Sequence, residues 1–345
     1  MNSKAAPGRR VGRIIARILV AILALLLVVV LALYGVMWVL ASGPSKTAQR
    51  MFTMSVRETS AVGFLAGWYL SEAEIDEIMG AGLEEPELED TDTSLITVTP
   101  PDPVYLGTGE SAVPENPNKK DGIEIVEVNG SGYRGLMMIV DDPTRLFVGV
   151  PDTFGGAGLT LMQMVEGSGA VAGINAGGFY DAGGTGSGGI PDGLVICDGE
   201  VLWGDEWRST SAIGFDADGI LHVGNMTPAQ AREASLQHAV SFGPALITNG
   251  TPQSADVLQS GINPRTAIGQ RADGAVLLLV VDGRQIDSLG VTYVDLVDIF
   301  LAFGAVNAAN LDGGSSTLMI YENEIINVCA SVSGPRPIPT AFLVR

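Results

Sequence analysis

Histidine and cysteine each occur only twice in this 345-residue chain, and that scarcity removes several chemistries. A Ser-His-Asp triad needs a histidine within reach of a nucleophile on a sharp turn. His222 falls in an apparent strand from Ile220 to Val223, and His238 closes a predicted helix over Pro228–Gln237, so both read as structural. Cys197 and Cys329 form no CxxC pair and neither histidine adjoins them in sequence, so they do not read as a metal pair. They read as two small buried hydrophobes, with a bridge between them left open. There is no GxxxxGK[ST] phosphate loop and no dinucleotide-binding βαβ fingerprint.

Positive charge is also short, with 19 Lys and Arg against 39 Asp and Glu and a net charge of -20. Five of those cations, Lys4, Arg9, Arg10, Arg13 and Arg17, precede the first long apolar run, leaving 14 for everything beyond. So acidic a body repels nucleic acid, and no such partner is expected. Asp216-x-Asp218-Gly219 lacks the spacing of an EF-hand loop and reads as a hairpin turn. No motif demands a cofactor, and a structural calcium ion stays open in so acidic a domain.

What is present begins with an uncharged run from Ile18 to Leu40. As a helix it spans about 34 Å, enough for a hydrocarbon core of about 30 Å. Its length exceeds a signal peptide's apolar region, and Tyr34 and Trp38 sit near its outer end, so we read it as an anchor. A cleaved signal, cut near Ala41-Ser42, is the rival reading. The preceding cations imply a cytoplasmic N-terminus and a single pass into the cell membrane, with the remainder outside.

The boundaries that follow are 1–17 cytoplasmic, 18–40 transmembrane, 45–82 a helical stalk, 83–120 an acidic, proline-rich linker and 121–345 the main domain. Ser71 with Glu74 forms a capping box within the stalk. The stalk's apolar residues Met51, Met54, Phe64, Leu65 and Trp68 need a partner, which could be the domain, the membrane or another copy. Glu84, Glu85, Glu87 and the prolines 100, 101, 103, 114 and 117 make the linker extended.

From Asp121 onward short apolar runs alternate with turn dipeptides: Asp198-Gly199, Asp218-Gly219, Asp273-Gly274, Asp282-Gly283, Asn249-Gly250 and Asn129-Gly130. Ala275–Val281 predicts a central strand buried on both faces, and helices are expected near 159–166, 228–237 and 293–303. The fold class is α+β: a sheet-rich mixed domain with a few covering helices, preceded by one transmembrane helix and the stalk.

Three polar segments break the apolar pattern. The first runs from Asn175 through Gly177, Gly178 and Asp181 to Asp192, glycine-rich enough to let backbone N–H groups approach a ligand. The second, Asn263–Gly269, sets Arg265 and Thr266 at the start of a strand, and a guanidinium fork there matches two phosphate oxygens. The third sets Asp312 before Gly313, Gly314, Ser315, Ser316 and Thr317. A carboxylate so placed is held firmly while small neighbours leave room for substrate. Composition alone leaves plainer readings open for all three: a surface loop, an ion-paired arginine and a capped turn.

Together with Val280-Val281-Asp282-Gly283-Arg284, Ser241-Phe242-Gly243-Pro244 and Pro337–Phe342, these segments resemble the phosphodiester glycosidase family, in order from Asp121 to Arg345. The glycine and serine run after Asp312 is shorter than is usual there. Pro335 stands before Arg336 where the family commonly has Glu-Arg, so no phosphate-binding role is assigned to Arg336. The resemblance implies a hydrolase that cuts a sugar-1-phosphodiester in an envelope glycan or exopolysaccharide. Arg265 would clamp the phosphate, and Asp312 would act at the anomeric carbon as nucleophile or base. Asp181 and Asp192 would supply the second carboxylate or bind the sugar. Asn175, Gly177, Gly178, Thr266, Asp282, Arg284, Gly313, Gly314, Ser315, Ser316 and Thr317 would contact substrate. The alternative is a non-catalytic protein that binds phosphorylated polysaccharide with the same residues. A metal-dependent phosphodiesterase would need His/Asp clusters that the sequence does not show.

Overall fold

Antiparallel pairing builds the domain, and side-chain alternation explains its layers. The structure is a computed structural model that describes residues 7–59, 62–80, 89–98, 119–181 and 186–345. An eight-stranded sheet runs, in spatial order, Lys119–Lys120, Ile123–Gly130, Tyr133–Val140, Val276–Val281, Arg265–Arg271, Ala305–Leu311, Ala245–Thr248 and Thr251–Pro252. A five-stranded sheet runs Glu200–Trp203, Val195–Cys197, Leu236–Val240, Thr210–Asp216 and Leu221–Met226. A second one runs Glu324–Ile325, Met319–Tyr321, Ala172–Asn175, Ala341–Val344 and Leu146–Gly149.

The large sheet is apolar on both faces, which is why its central strand Val276–Val281 reads as one unbroken run. Val276, Leu278 and Val280 join Ile174, Ile213 and Phe342 of the smaller sheets in the main core. Leu277, Leu279 and Val281 point the other way, against Leu296, Val297 and Phe300 of a covering helix. The α+β class follows directly from this arrangement of sheets and covering helices.

The helices are α1 (Pro7–Ser42), α2 (Lys46–Arg57), α3 (Glu72–Gly80), α4 (Leu161–Ser168), α5 (Pro228–Glu233) and α6 (Tyr293–Ala302). Helix α1 is long and apolar enough, over Val11–Ser42, to cross a bilayer. The Ser71–Glu74 capping box starts α3. Capping boxes at Thr160–Gln163 and Thr292–Asp295 start α4 and α6.

Four of the six turn dipeptides join paired strands: Asp198-Gly199, Asp218-Gly219, Asp273-Gly274 and Asn249-Gly250. Asn129-Gly130 instead ends a strand, and the turn falls on Ser131-Gly132. Asp282-Gly283 leaves the central strand without a hairpin. The expected helix over 228–237 stops at Glu233, because Ser235 adopts φ +57° and Leu236–Val240 is captured by strand Thr210–Asp216. His238 therefore lies in a strand and does not close a helix.

The residues read as a stalk dock onto the domain. Ser55 Oγ of α2 accepts from Ile262 N at 2.9 Å. At Gly261 a Cβ would stand 2.3 Å from Ser55 N, so only glycine allows this approach. Ala66, Leu70 and Ile75 form a small core of their own with Val56 and Ile78. Within the span read as linker, Asp92 N donates to Asn249 Oδ1 and Thr97 N to Ala272 O, both at 2.8 Å, so 89–98 straps the domain surface. The acidic and proline-rich positions 84–87 and 100–117 lie outside the described residues.

Helix α6 presses on the strand beside the central one. A Cβ on Gly269 would lie 2.8 Å from the Phe300 ring and 3.0 Å from Asn307 O. Gly269→Ala is expected to lower stability by about 1–3 kcal/mol, read from urea unfolding. An unchanged midpoint would mean that this packing is loose.

Candidate active site

Strand register brings distant motifs to one end of the large sheet. Thr266 pairs with Leu311, so Arg265 and Asp312, one step further along antiparallel neighbours, emerge side by side. Arg265 also pairs with Val281 on its other flank, which delivers Asp282, Gly283 and Arg284 to the same end. The chain segments leaving that end form a cleft of about 650 Å³. Its walls include Arg265, Arg284, Asp312, Gly313, Gly314, Ser315 and Ser316, with Asp181 and Asp192 from the glycine-rich loop. Residues 182–185 of that loop lie outside the described residues.

The remaining expected contacts form the frame behind the cleft. Asn175 Oδ1 accepts from Thr266 Oγ1 at 2.8 Å and from Leu318 N at 3.0 Å, while its Nδ2 donates to Asp312 O. That spends the Asn175 and Thr266 side chains on holding Asp312's backbone. Asp282 Oδ1 accepts from Val328 N and Asn327 Nδ2. Gly177 N donates to Thr340 Oγ1. A Cβ on Gly178 would strike the Phe242 ring at 2.8 Å. None of these, nor Thr317, lines the cleft.

The carboxylates sit in opposed environments. Asp312 Oδ2 is covered and meets no hydrogen-bond donor. Burial pushes the Asp312 carboxyl up to about 6, against a lowering by Ser316 and Arg336. Asp181 is held below the usual range, chiefly by its hydrogen bond from Arg336 (Nη1 to Oδ2, 2.8 Å). Burial raises Asp192. Arg336 lies over the Phe179 ring, 4.7 Å from its centroid, and so belongs to the cleft despite the Pro335 that precedes it.

The cationic side carries an unexpected guest. Glu58, the residue capping α2, accepts through Oε2 from Arg265 Nη2 at 2.7 Å and from Asn263 Nδ2 at 2.8 Å. Its Oε1 accepts from Gly261 N at 2.9 Å. The next residue, Thr59, accepts through Oγ1 from Arg284 Nη2 at 2.9 Å. Arg265 is further fixed by donating to Gly261 O and by stacking 4.3 Å from the Tyr293 ring centroid. Two guanidiniums this close create a demand for an anion, which here is the Glu58 carboxylate.

Sequence reasoning gave no role to Glu58, Thr59, Tyr293, Phe179, Phe242, Asn263 or Arg336. Phe179, Phe242 and Asn263 lay inside the motif segments and could have been singled out there. Glu58 lies more than 200 positions from Arg265, and only its place as the first acid after the anchor marked it.

One grouping of possible metal ligands stands apart from the cleft. Cys197, Asp198 and His238 bring ligand atoms within 4.8 Å of one another on neighbouring strands. His238 and Cys197, distant along the sequence, come together because strand Leu236–Val240 pairs beside Val195–Cys197, so their separation in sequence does not exclude a shared ligand set. The two cysteines are not bridged. A thiol and an imidazole suit a soft divalent ion and not calcium.

Residues 168–345, just over half the chain, match the sequence model of a family described as phosphodiester glycosidase. An uncharacterized SPbeta prophage-derived protein of Bacillus subtilis strain 168, YomE, is 32% identical over 197 residues. That match covers 54% of this chain, and the chain spans only 29% of that relative. The zebrafish N-acetylglucosamine-1-phosphodiester alpha-N-acetylglucosaminidase catalytic domain, auto-inhibited by its pro-peptide, shares the fold with a TM-score of 0.54 at 21% identity. The match covers 65% of this chain and 82% of that one. With its C-terminal half matched throughout, the chain belongs to the phosphodiester glycosidase family.

Proposed function

We propose that this protein is an extracytoplasmic, membrane-anchored hydrolase that cleaves the bond between a sugar's anomeric carbon and a phosphodiester in an envelope glycan or exopolysaccharide. The observation that carries the reading is one cleft holding a paired-arginine anion site beside three carboxylates in contrasting environments. Arg265 and Arg284 bind the phosphate, in the place that the Glu58 carboxylate takes. The leaving phosphate monoester has a second pKa near about 6, so it departs as a stable anion once cations hold it. The anomeric C–O bond breaks with its electron pair going to phosphate oxygen. Water bonds to the carbon, and its proton passes to Asp312 acting as base. If Asp312 attacks first as nucleophile, water releases the sugar in a second step. Either role needs the ionised form. Asp181, kept ionised by Arg336, stabilises the positive charge that develops on the sugar ring.

A carboxyl tuned to about 6 suits proton transfer near neutral pH. On a glycosyl-1-phosphodiester, kcat/KM is expected to rise with pH through about 6 and then level. Asp312→Asn is expected to lower kcat about a thousandfold, and Arg265→Lys to lower kcat/KM about a hundredfold by losing the fork. If Asp312→Asn and Arg265→Ala both cleave as fast as the unaltered protein, the assignment is wrong. Binding without turnover in the unaltered protein would instead favour a polysaccharide-binding role.

The same Asn substitution is expected to stabilise the fold. Because the folded Asp312 pKa lies above its unfolded value near 4, the native state holds its proton more tightly, and stability falls as pH rises from about 4 to 6. Asp312→Asn removes that loss, a gain of up to about 3 kcal/mol at pH 7.5 that vanishes near pH 4. Denaturant melts at the two pH values would read it, and equal melts at pH 7.5 would refute the buried-carboxylate account.

Glu58 competes with phosphate for the same cations, so α2 holds the cleft in a blocked state. Glu58→Gln is expected to lower KM about tenfold. A fall in kcat with KM unchanged would make Glu58 a positioning partner of Arg265 and not a competitor.

A further inference from the structure

Beyond the sugar position the cleft adjoins a second hollow. Asp192 and Phe242 form a shared wall, and on its far side lies this hollow of about 290 Å³, floored by Arg208, Ser209, Thr210 and Ser211. It widens toward Trp203 and Gly204 into a further space of about 510 Å³.

The turn that carries Arg208 is braced so that its own acids are turned away from this cation. Asp205 Oδ1 accepts from Trp207 N at 3.0 Å, and Asp205 O accepts from Arg208 N. Glu206 takes a bidentate pair from Arg232, at 2.9 and 2.6 Å. Both nearby acids of the turn are therefore spent. The Arg208 guanidinium makes no hydrogen bond or close ion pair among the described residues, and the Asp192 carboxylate in the wall of the same hollow is near enough to feel its charge. In a chain with twice as many acids as bases, an exposed arginine lining this hollow with no hydrogen-bonded acid among the described residues is available for an external anion. Ser209 and Ser211 line the hollow beside it, and the preceding residue, Trp207, is 93% exposed.

We propose that this hollow is a second anion subsite, in which Arg208 binds a further phosphate carried by the sugar being released. The substrate is then a chain of glycosyl phosphates cut internally, and not a single sugar capping a phosphate. The order of groups along the cleft supports this polarity. The paired arginines Arg265 and Arg284 take the scissile phosphate, Asp312 and Asp181 flank the sugar, and Asp192 leads on to Arg208. An enzyme that removes only terminal sugars has no use for a cationic hollow beside the cleft, and this one has such a hollow across the Asp192–Phe242 wall. The inference rests on the hydrolase reading above.

The test compares two synthetic substrates with the full chain in detergent micelles. Both are methyl phosphodiesters at the anomeric position of the same sugar, offered as glucose and N-acetylglucosamine versions. One of each pair carries a second methyl phosphodiester on a non-anomeric hydroxyl. The unaltered protein is expected to prefer the doubly substituted compound. Arg208→Gln is expected to lower kcat/KM on it about tenfold, with no change on the singly substituted one. Arg208→Lys should restore part of the preference. Equal effects of Arg208→Gln on both compounds, or none on either, would overturn the subsite while leaving the hydrolase intact. Failure of the unaltered protein to cleave any of them would remove the hydrolase reading, and the subsite with it.

Discussion

The antiparallel registry between strands Arg265–Arg271 and Ala305–Leu311 is the constraint from which the cleft derives. Pairing Thr266 with Leu311 leaves a guanidinium and a carboxylate emerging next to each other, although 46 positions of chain separate them. A slip of one residue would turn every side chain of the strand to the opposite face, exchanging Ile268 of the main core for Ala267 of the layer under α6. The registry is therefore enforced by burial on both faces of the sheet, and the reactive geometry follows from hydrophobic packing remote from it.

On that frame the domain distributes charge unevenly. Most of the chain is acidic, yet Arg265, Arg284 and Arg336 all line one cleft. Each has a defined counterpart: Glu58 for Arg265, Thr59 and Asn263 for Arg284, and Asp181 for Arg336. Asp312 is left among them without a donor on Oδ2, and burial raises its pKa while Asp181 is lowered. Two acids close together but tuned apart fit a division of labour between proton transfer and charge stabilisation. Local strain accompanies this arrangement, since Arg284 holds φ +59° to present its side chain.

Helix α2 links the candidate anchor to the chemistry. Its capping residue, Glu58, and Thr59 after it reach the two arginines, and Gly261 permits backbone contact with Ser55. A segment read from sequence as a helical stalk in need of a partner thus forms part of the cleft wall. Whatever moves α2 relative to the domain also changes access to Arg265, which couples the N-terminal helices of the chain to the site.

The sequence by itself determined the apolar N-terminal helix, the hairpins at Asp198-Gly199 and Asp273-Gly274, the doubly buried strand 276–281 and helix α6, because each rests on local periodicity or on a backbone conformation that one dipeptide favours. It also marked Arg265 and Asp312 as candidates, through residue type and position at strand ends. Only the tertiary structure decided that Asn175, Thr266 and Asp282 face the frame and not the cleft, since strand direction and hydrogen-bond partners are set by distant neighbours. The capture of Arg265 by Glu58, the approach of His238 to Cys197 and the entry of Arg336 into the cleft were likewise invisible along the chain. Each is a contact across 40 to more than 200 positions, and such pairing is dictated by how whole layers pack, for which a single sequence carries no local signal.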